Sequence, residues 1–170
     1  MGLAAMARDM EVRAGVEIGT FLGNWASLWC RQNPQLHLTC IDPYASYGGR
    51  RSATTQEKCY QTALRTLEPY NATIVRKASL EAVDSFEDES LDFVSIDGDH
   101  FFDAVMQDLI CWRRKVRKGG LIAVHDYTVL QGCHVMRAVD AYTHCHNISP
   151  WYVTADYTPT AFWERGVETA

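Results

Sequence analysis

The sequence has no C-x-x-C pair: its six cysteines, at positions 30, 40, 59, 111, 133 and 145, are scattered, and several lie in apolar segments. Buried free thiols in a reducing cytosol fit that pattern better than a disulfide framework or a zinc knuckle. Long apolar runs are missing, and none approaches the roughly 20 residues that cross a bilayer. The stretch Met1–Asp9 lacks a basic segment followed by a long apolar one, so it does not read as a secretory signal. There is no internal repeat, low-complexity tract or Pro/Gly/Ser linker. Positive charge is in deficit, with 16 Lys and Arg against 21 Asp and Glu and a net charge of −5. Such a chain is a poor electrostatic partner for nucleic acid or an anionic membrane. Its one basic cluster, Arg113-Arg114-Lys115-Val116-Arg117-Lys118, falls at the end of an expected helix, where positive charge suits the helix dipole.

What is present is ordinary globular composition, 47% hydrophobic and 22% charged over 170 residues, which predicts one domain over residues 1–170. Short apolar runs alternate with helix-like stretches. Strands are expected at Arg13–Ile18, Leu36–Ile41, Ala72–Arg76, Leu91–Ile96 and Leu121–His125. Helices are expected at Phe21–Arg31, Thr55–Leu67, Phe102–Lys118 and His134–His144, with a short one starting at Ser79 as N-cap and Gly119-Gly120 stopping the long one. Trp151–Tyr157 and Thr160–Trp163 read as an antiparallel hairpin. The expected fold class is α/β: a Rossmann-like, doubly wound sheet of five parallel strands with a C-terminal antiparallel hairpin.

In such sheets ligands sit beyond the carboxyl ends of the strands, where strand order reverses. The polar residues at those ends are Glu17, Gly19, Asp42, Ser79, Asp97, His125 and Asp126. Gly19 permits a tight turn and close ligand approach. The spacing Gly19 to Gly23 is G-x-x-x-G, and the G-x-G-x-x-G of dinucleotide binders is missing. Glu17 would repel a pyrophosphate at that turn and favour a cationic group, while an acidic residue at Asp42 can accept both hydroxyls of a ribose. Together these point to a nucleoside with a cationic tail and no phosphate, which describes S-adenosylmethionine.

Val16-Glu17-Ile18-Gly19-Thr20-Phe21-Leu22-Gly23-Asn24, Ile41-Asp42-Pro43, Ser95-Ile96-Asp97-Gly98-Asp99-His100 and Gly119-Gly120-Leu121-Ile122-Ala123-Val124-His125-Asp126, in this order, resemble the class I methyltransferases. The resemblance is strongest to a small-molecule O-methyltransferase group with I-D-G-D-H after strand four and H-D after strand five. It implies that Glu17, Gly19, Thr20 and Gly23 line the methionine half of S-adenosylmethionine, that Asp42 holds the ribose, and that Ser79 and the backbone near Leu80 lie by the adenine. It implies a reaction centre at Asp97, Asp99, His100 and Asp126. His100 is the candidate general base, where catechol-type relatives carry a lysine at about this position. Asp97 also touches the cofactor, and Asp97 and Asp126 match two carboxylates that hold a divalent cation in those relatives. Mg²⁺ suits oxygen ligands. Those relatives follow the second Asp with Asn, whereas here Tyr127 follows and His125 precedes, which leaves Mn²⁺, Zn²⁺ or no metal open.

The expected partner is a small-molecule acceptor, with no nucleic acid or membrane and with a homo-oligomer through the terminal hairpin as a further expectation. Little chain stands ahead of the first strand, so a minimal N-terminal cap is expected. The acceptor pocket would then come from the Tyr44–Gln56 loop, the segment after Asp126, the hairpin or another subunit. Tyr44 and Tyr47 are candidates to cover the cofactor, and His144 and His146 with Cys145 are a weaker candidate metal clip. Two other functions fit less well: a non-catalytic S-adenosylmethionine-binding module that needs a partner chain, and a nicotinamide-dependent oxidoreductase, which the missing G-x-G-x-x-G disfavours.

Overall fold

A computed structural model describes residues 2–46 and 52–166. The helices are α1 (Leu3–Asp9), α2 (Asn24–Gln32), α3 (Ala53–Leu67), α4 (Ser79–Ala82), α5 (Phe102–Arg113) and α6 (Val135–Cys145). The strands are β1 (Ala14–Ile18), β2 (His37–Ile41), β3 (Ala72–Val75), β4 (Leu91–Ile96), β5 (Val116–Val124), β6 (Tyr152–Val153) and β7 (Ala161–Glu164). They form one sheet in the order β3-β2-β1-β4-β5-β7-β6, in which β1 to β5 pair in parallel and β7 and β6 are antiparallel. The expected doubly wound sheet with its terminal hairpin is thus present. No described helix is long and apolar enough to cross a membrane.

Alternation along the strands splits the core into two layers. Leu38, Cys40, Phe93, Leu121 and Ala123 pack against α1 and α2 on one face. Val16, Ile18, Val94, Ile96, Ile122 and Val124 pack against α5 and α6 on the other. Trp29 stacks on Phe93 with ring centroids 4.4 Å apart. Gly15 makes room for that ring, since a Cβ there would lie 2.1 Å from Phe93 Cε1. Asn33 ties α1 to α2 by donating to the Ala4 and Trp29 carbonyls at 3.0 and 2.9 Å. At the amino ends of the strands, Asp92 accepts the backbone N–H groups of Arg13 (2.7 Å) and Ala14 (2.9 Å) and the Arg117 Nε–H (2.8 Å).

The boundaries correct several expectations. The long helix ends at Arg113, not Lys118, and residues 116–120 open β5, so Gly119-Gly120 is inside a strand. Val116 is buried either way, and Gly120 lies so close to the Asp92 carbonyl that a Cβ would come within 2.5 Å of it. Phe21 is outside α2, because its φ of +49° is incompatible with a right-handed helix. Helix α3 starts at Ala53, ahead of the expected Thr55, and Ser52 caps it by accepting the Thr55 N–H at 3.2 Å. Ala78 occupies the N-cap of α4, and Ser79 turns inward instead. The first hairpin strand shrinks to Tyr152–Val153, and Tyr157 is fully exposed. Helix α1 went unread in the sequence. Tyr47, Gly48 and Gly49 lie outside the described residues.

Candidate functional site

Parallel register brings the site together. Ile18 pairs with Ile41 and with Ile96, and Ile96 pairs with Val124. The strands therefore end at one level, and the next residue of each, Gly19, Asp42, Asp97 and His125, falls in one row. The backbone locks that row: Gly19 N–H donates to Ile41 O (2.8 Å), Asp97 N–H to Ile18 O (2.8 Å) and His125 N–H to Ile96 O (2.9 Å). Between β1 and β4 the chain reverses its direction of travel across the sheet, the position where ligands enter such folds.

Gly19 sits at this reversal with φ +86°. A Cβ there would lie 2.0 Å from the Asp97 carbonyl oxygen, so the turn can lie against β4 only with glycine. Two residues earlier, Glu17 is 0% exposed, and neither carboxylate oxygen has a hydrogen-bond partner. Burial, reinforced by the charges of Asp97 and Asp42, holds the Glu17 carboxyl well above the ordinary glutamate range, although the nearby Thr20 hydroxyl pulls the other way. The Thr20 hydroxyl is itself buried and unpartnered. An orphaned carboxyl, an orphaned hydroxyl and a turn without a Cβ fit a cationic, hydrogen-bonding ligand.

Asp42 joins the two loops beside this turn. Its Oδ2 accepts the Phe21 N–H at 2.9 Å and its Oδ1 the Tyr44 N–H at 2.8 Å. Both donors have left-handed backbones, with φ +49° and +46°. Gly23 caps α2 and donates its N–H to Thr20 O at 2.8 Å, which closes the loop onto itself. The Tyr44 ring is buried against Tyr60, so it packs under the loop.

Asp97, His100 and Asp126 converge with donor atoms within 4.8 Å of one another. His100 Nε2 lies 3.7 Å from Asp97 Oδ1 and 3.4 Å from Asp126 Oδ2. His125 Nδ1 lies 3.4 Å from Asp97 Oδ1 and 3.4 Å from Asp126 Oδ1. Asp126 has a left-handed backbone, φ +57°, which turns its carboxylate back toward β4. Asp97 holds the His100 imidazolium, raising its pKa against a smaller effect of burial, and Asp126 adds to the rise. Burial pulls His125 down, but Asp97 and Asp126 outweigh it and the net shift is upward. Burial likewise pushes Asp97 up, and the two imidazoles more than reverse this. The two carboxylates and the His100 imidazole form a donor set that fits a divalent cation. Asp99 instead accepts the Phe101 N–H at 3.1 Å ahead of α5, and His144 and His146 lie exposed at the end of α6, outside this group.

Ser79 belongs to a buried chain of polar groups. Its hydroxyl donates to Asp108 Oδ1 and accepts the Trp112 Nε1–H at 2.7 Å. Asp108 is 6% exposed, and burial raises its pKa to about 6, against the opposing bond from Ser79. The folded protein therefore holds a proton that the unfolded chain, with an Asp pKa of about 3.9, releases, so stability falls as pH rises from about 4 through about 6. Asp108→Asn keeps an acceptor for Ser79 and removes the charge. It is expected to be more stable than wild type by about 1–3 kcal/mol at pH 7.5 and equal at pH 4. Urea unfolding at the two pH values checks this, and a gap independent of pH would refute it.

This geometry has relatives. A family profile described as a methyltransferase domain matches residues 16–127, most of the chain. The chain belongs to the methyltransferase domain family. Among solved structures, this methyltransferase domain superposes on cofactor-bound Rv0187 from MTB with a TM-score of 0.73 at 17% identity, over 98% of this chain and 78% of that one. It superposes on the O-methyltransferase TomG from Streptomyces achromogenes in complex with SAM with a TM-score of 0.72 at 15% identity, over 96% and 78%. For an O-methyltransferase from Bacillus cereus in complex with SAH the values are 0.70 and 16%, over 94% and 77%. The fold is that of the class I, S-adenosylmethionine-dependent methyltransferases. Two curated relatives are uncharacterized proteins: y4gI of Sinorhizobium fredii, 27% identical over 128 residues, and R132 of Acanthamoeba polyphaga mimivirus, 29% identical over 115 residues. The methyltransferase domain spans 50% of the mimivirus relative and 14% of the Sinorhizobium one.

Within the methyltransferase domain, two residues beside the site had no role assigned from sequence. His125 is read from the sequence as a polar strand end whose place before Asp126 leaves the choice of ion open, with no ligand or catalytic role of its own. Asp108 carried a readable signal: it stands at helical spacing between the inward-facing Val105 and Trp112, where an acidic residue needs a partner.

Proposed function

We propose that this chain binds S-adenosylmethionine at the reversal between β1 and β4 and transfers its methyl group to an oxygen of a small-molecule acceptor, with a divalent cation at Asp97 and Asp126 assisting. The observation that carries this reading is Glu17, a fully buried carboxyl with no partner, beside a glycine turn that no side chain could occupy. When bound, the cofactor supplies a methyl group on a positively charged sulfur. Glu17 and Thr20 would meet the cationic amino-acid end, and Gly19 would let it approach the β4 carbonyl row. Asp42 retains acceptor capacity on each oxygen for the ribose hydroxyls, since each carboxylate oxygen receives one backbone N–H and has a further lone pair. Asp97, His100 and Asp126 mark where the acceptor oxygen would be oriented and lose its proton, an imidazole between two carboxylates being a basic group in a confined place. Asp97 also bounds the cofactor side, because its backbone carbonyl abuts Gly19.

Calorimetry with S-adenosylmethionine and S-adenosylhomocysteine tests the reading. Binding of both is expected, and Asp42→Ala is expected to weaken it by about 100-fold, as charge-assisted hydrogen bonds to both ribose hydroxyls disappear. No heat of binding at millimolar ligand would reject the proposal. Methyl transfer across a panel of hydroxylated acceptors would then separate an enzyme from a binding module.

A further inference from the structure

We propose that Asp108, on the buried side of α5, selects the base of the cofactor: its free carboxylate oxygen accepts the exocyclic amino group of adenine. The inference rests on the reading above for the ligand and goes beyond it in giving the base a side-chain partner. The two faces of the sheet divide such a ligand between them. Glu17 pairs in register with Cys40 and Ser95, on the face that α1 and α2 cover, and it would meet the cationic amino-acid end. From a ribose held at Asp42, the base then turns to the other face. There the strand ends Ile18, Ile41 and Val75 are apolar and cluster with Ala82 of α4 and with Val105, Leu109 and Trp112 of α5. Asp108 and Ser79 are the polar groups set into that face.

The bonding around Asp108 carries the inference. An indole nitrogen can only donate, so the Trp112 Nε1–H occupies the Ser79 oxygen and the Ser79 proton goes to Asp108 Oδ1. Oδ2 takes no hydrogen bond from any described residue, and the charge that acts on the carboxyl, Asp99, repels it. That oxygen lies beneath the turn after β4. A Cβ added to Gly98 would meet only Ile18 Cγ2 at 3.4 Å and Asp108 Oδ2 at 3.8 Å, so a flat group can lie against Gly98 with the oxygen at its edge. A carboxyl that only tied α4 to α5 would need Oδ1 alone, and an amide would do the same without burying a charge. A 6% exposed carboxyl with one oxygen to spare, and no cation among the described residues to answer it, suits a neutral N–H donor brought by a ligand. The amino group of adenine is such a donor, on the rim of a flat ring.

The test compares S-adenosylhomocysteine with its 6-deamino purine analogue, which keeps every ring nitrogen and lacks only the amino group. Calorimetry uses the full chain at pH 7.5, above the Asp108 pKa of about 6. Wild type is expected to bind S-adenosylhomocysteine about 100-fold more tightly than the analogue, which would bury the carboxylate without a donor. In Asp108→Asn the Ser79 hydroxyl holds the amide oxygen, so the amide NH₂ faces the amino group and two donors oppose each other. That variant is expected to lose about 10–100-fold for S-adenosylhomocysteine and nothing for the analogue, so the preference collapses. Urea unfolding, with the variant no less stable than wild type at this pH, confirms the fold. Wild type that binds the two ligands within about threefold overturns the proposal without any variant. An Asp108→Asn protein that keeps the full preference, or that loses both ligands equally, overturns it too. S-adenosylhomocysteine that fails to bind wild type sinks the cofactor reading itself, whereas binding without preference sinks only the role of Asp108.

Discussion

Gly19→Ala is expected to cost about 3–5 kcal/mol of stability and to lower affinity for S-adenosylmethionine by about 100-fold or more. Two separate penalties add. A φ of +86° strains any residue with a Cβ, and the new methyl would lie 2.0 Å from the Asp97 carbonyl oxygen and 2.5 Å from its carbon. Neither atom is the end of a flexible side chain, so the turn or the end of β4 must move. Movement would break the bonds from Gly19 N–H to Ile41 O and from Asp97 N–H to Ile18 O, which hold the row level. Gly132→Ala separates the terms, since Gly132 has φ +78° but nothing within 4 Å of an added Cβ. That variant should show the backbone penalty alone, about 1 kcal/mol. Urea unfolding and calorimetry on both proteins check the prediction. A Gly19→Ala protein no less stable than Gly132→Ala would remove the close approach from the argument.

Glu17→Gln should act in the opposite sense on stability and in the same sense on binding. The folded protein holds the Glu17 proton more tightly than the unfolded chain does, because the buried charge has no partner and faces Asp97 and Asp42. Wild-type stability therefore falls as pH climbs above the ordinary glutamate range, while Gln has nothing to ionise. The variant is expected to match wild type near pH 4 and to exceed it at pH 7.5 by about 1 kcal/mol or more, equivalent to about 2–4 °C in midpoint. Affinity for S-adenosylmethionine should drop about 10–100-fold, since a neutral amide cannot answer a cationic ligand as a carboxylate does. A proton count sharpens the test. Across the pH range in which the free protein takes up the Glu17 proton, binding to wild type should release it as Glu17 ionises against the ligand, seen as a dependence of the calorimetric heat on buffer, and binding to Glu17→Gln should not. A variant that is both less stable and equally tight would reject the role given to Glu17.

The two variants also show what the sequence could convey. The row Gly19, Asp42, Asp97 and His125 was legible because each residue follows a short apolar run, and parallel register aligns the ends of such runs automatically. The convergence of His100 with Asp97 and Asp126 was legible only as a list of candidates, since Asp126 reaches back through a left-handed backbone that no residue-type pattern announces. Residues 114–120 misled for a physical reason. Val116 continues the apolar spacing of α5, and Gly119-Gly120 resembles a helix stop, yet the segment is drawn into the sheet by tertiary bonds: Leu91 N–H to Lys115 O at 2.9 Å, and Arg117 to Asp92. Local preference lost to pairing with a strand distant in sequence. The inward turn of Ser79 was hidden in the same way, because its partners Asp108 and Trp112 lie on α5. An N-cap and a buried hydrogen-bonding serine look alike until the neighbouring helix is in place.

Asp92, at the far end of the sheet from all this chemistry, has one further meaning. Its two oxygens take three donors, from Arg13, Ala14 and Arg117, and so bind the start of β1 to β4 and β5. Those bonds help fasten the sheet at one rim, and the residues that would meet a ligand hang from the other. A protein arranged in this way is a chassis with an interchangeable front. The loops beyond Asp42 and Asp126 can be lengthened, shortened or exchanged to suit a different acceptor while the Asp92 fastening stays untouched, so new specificities can be sought there without first rebuilding the fold.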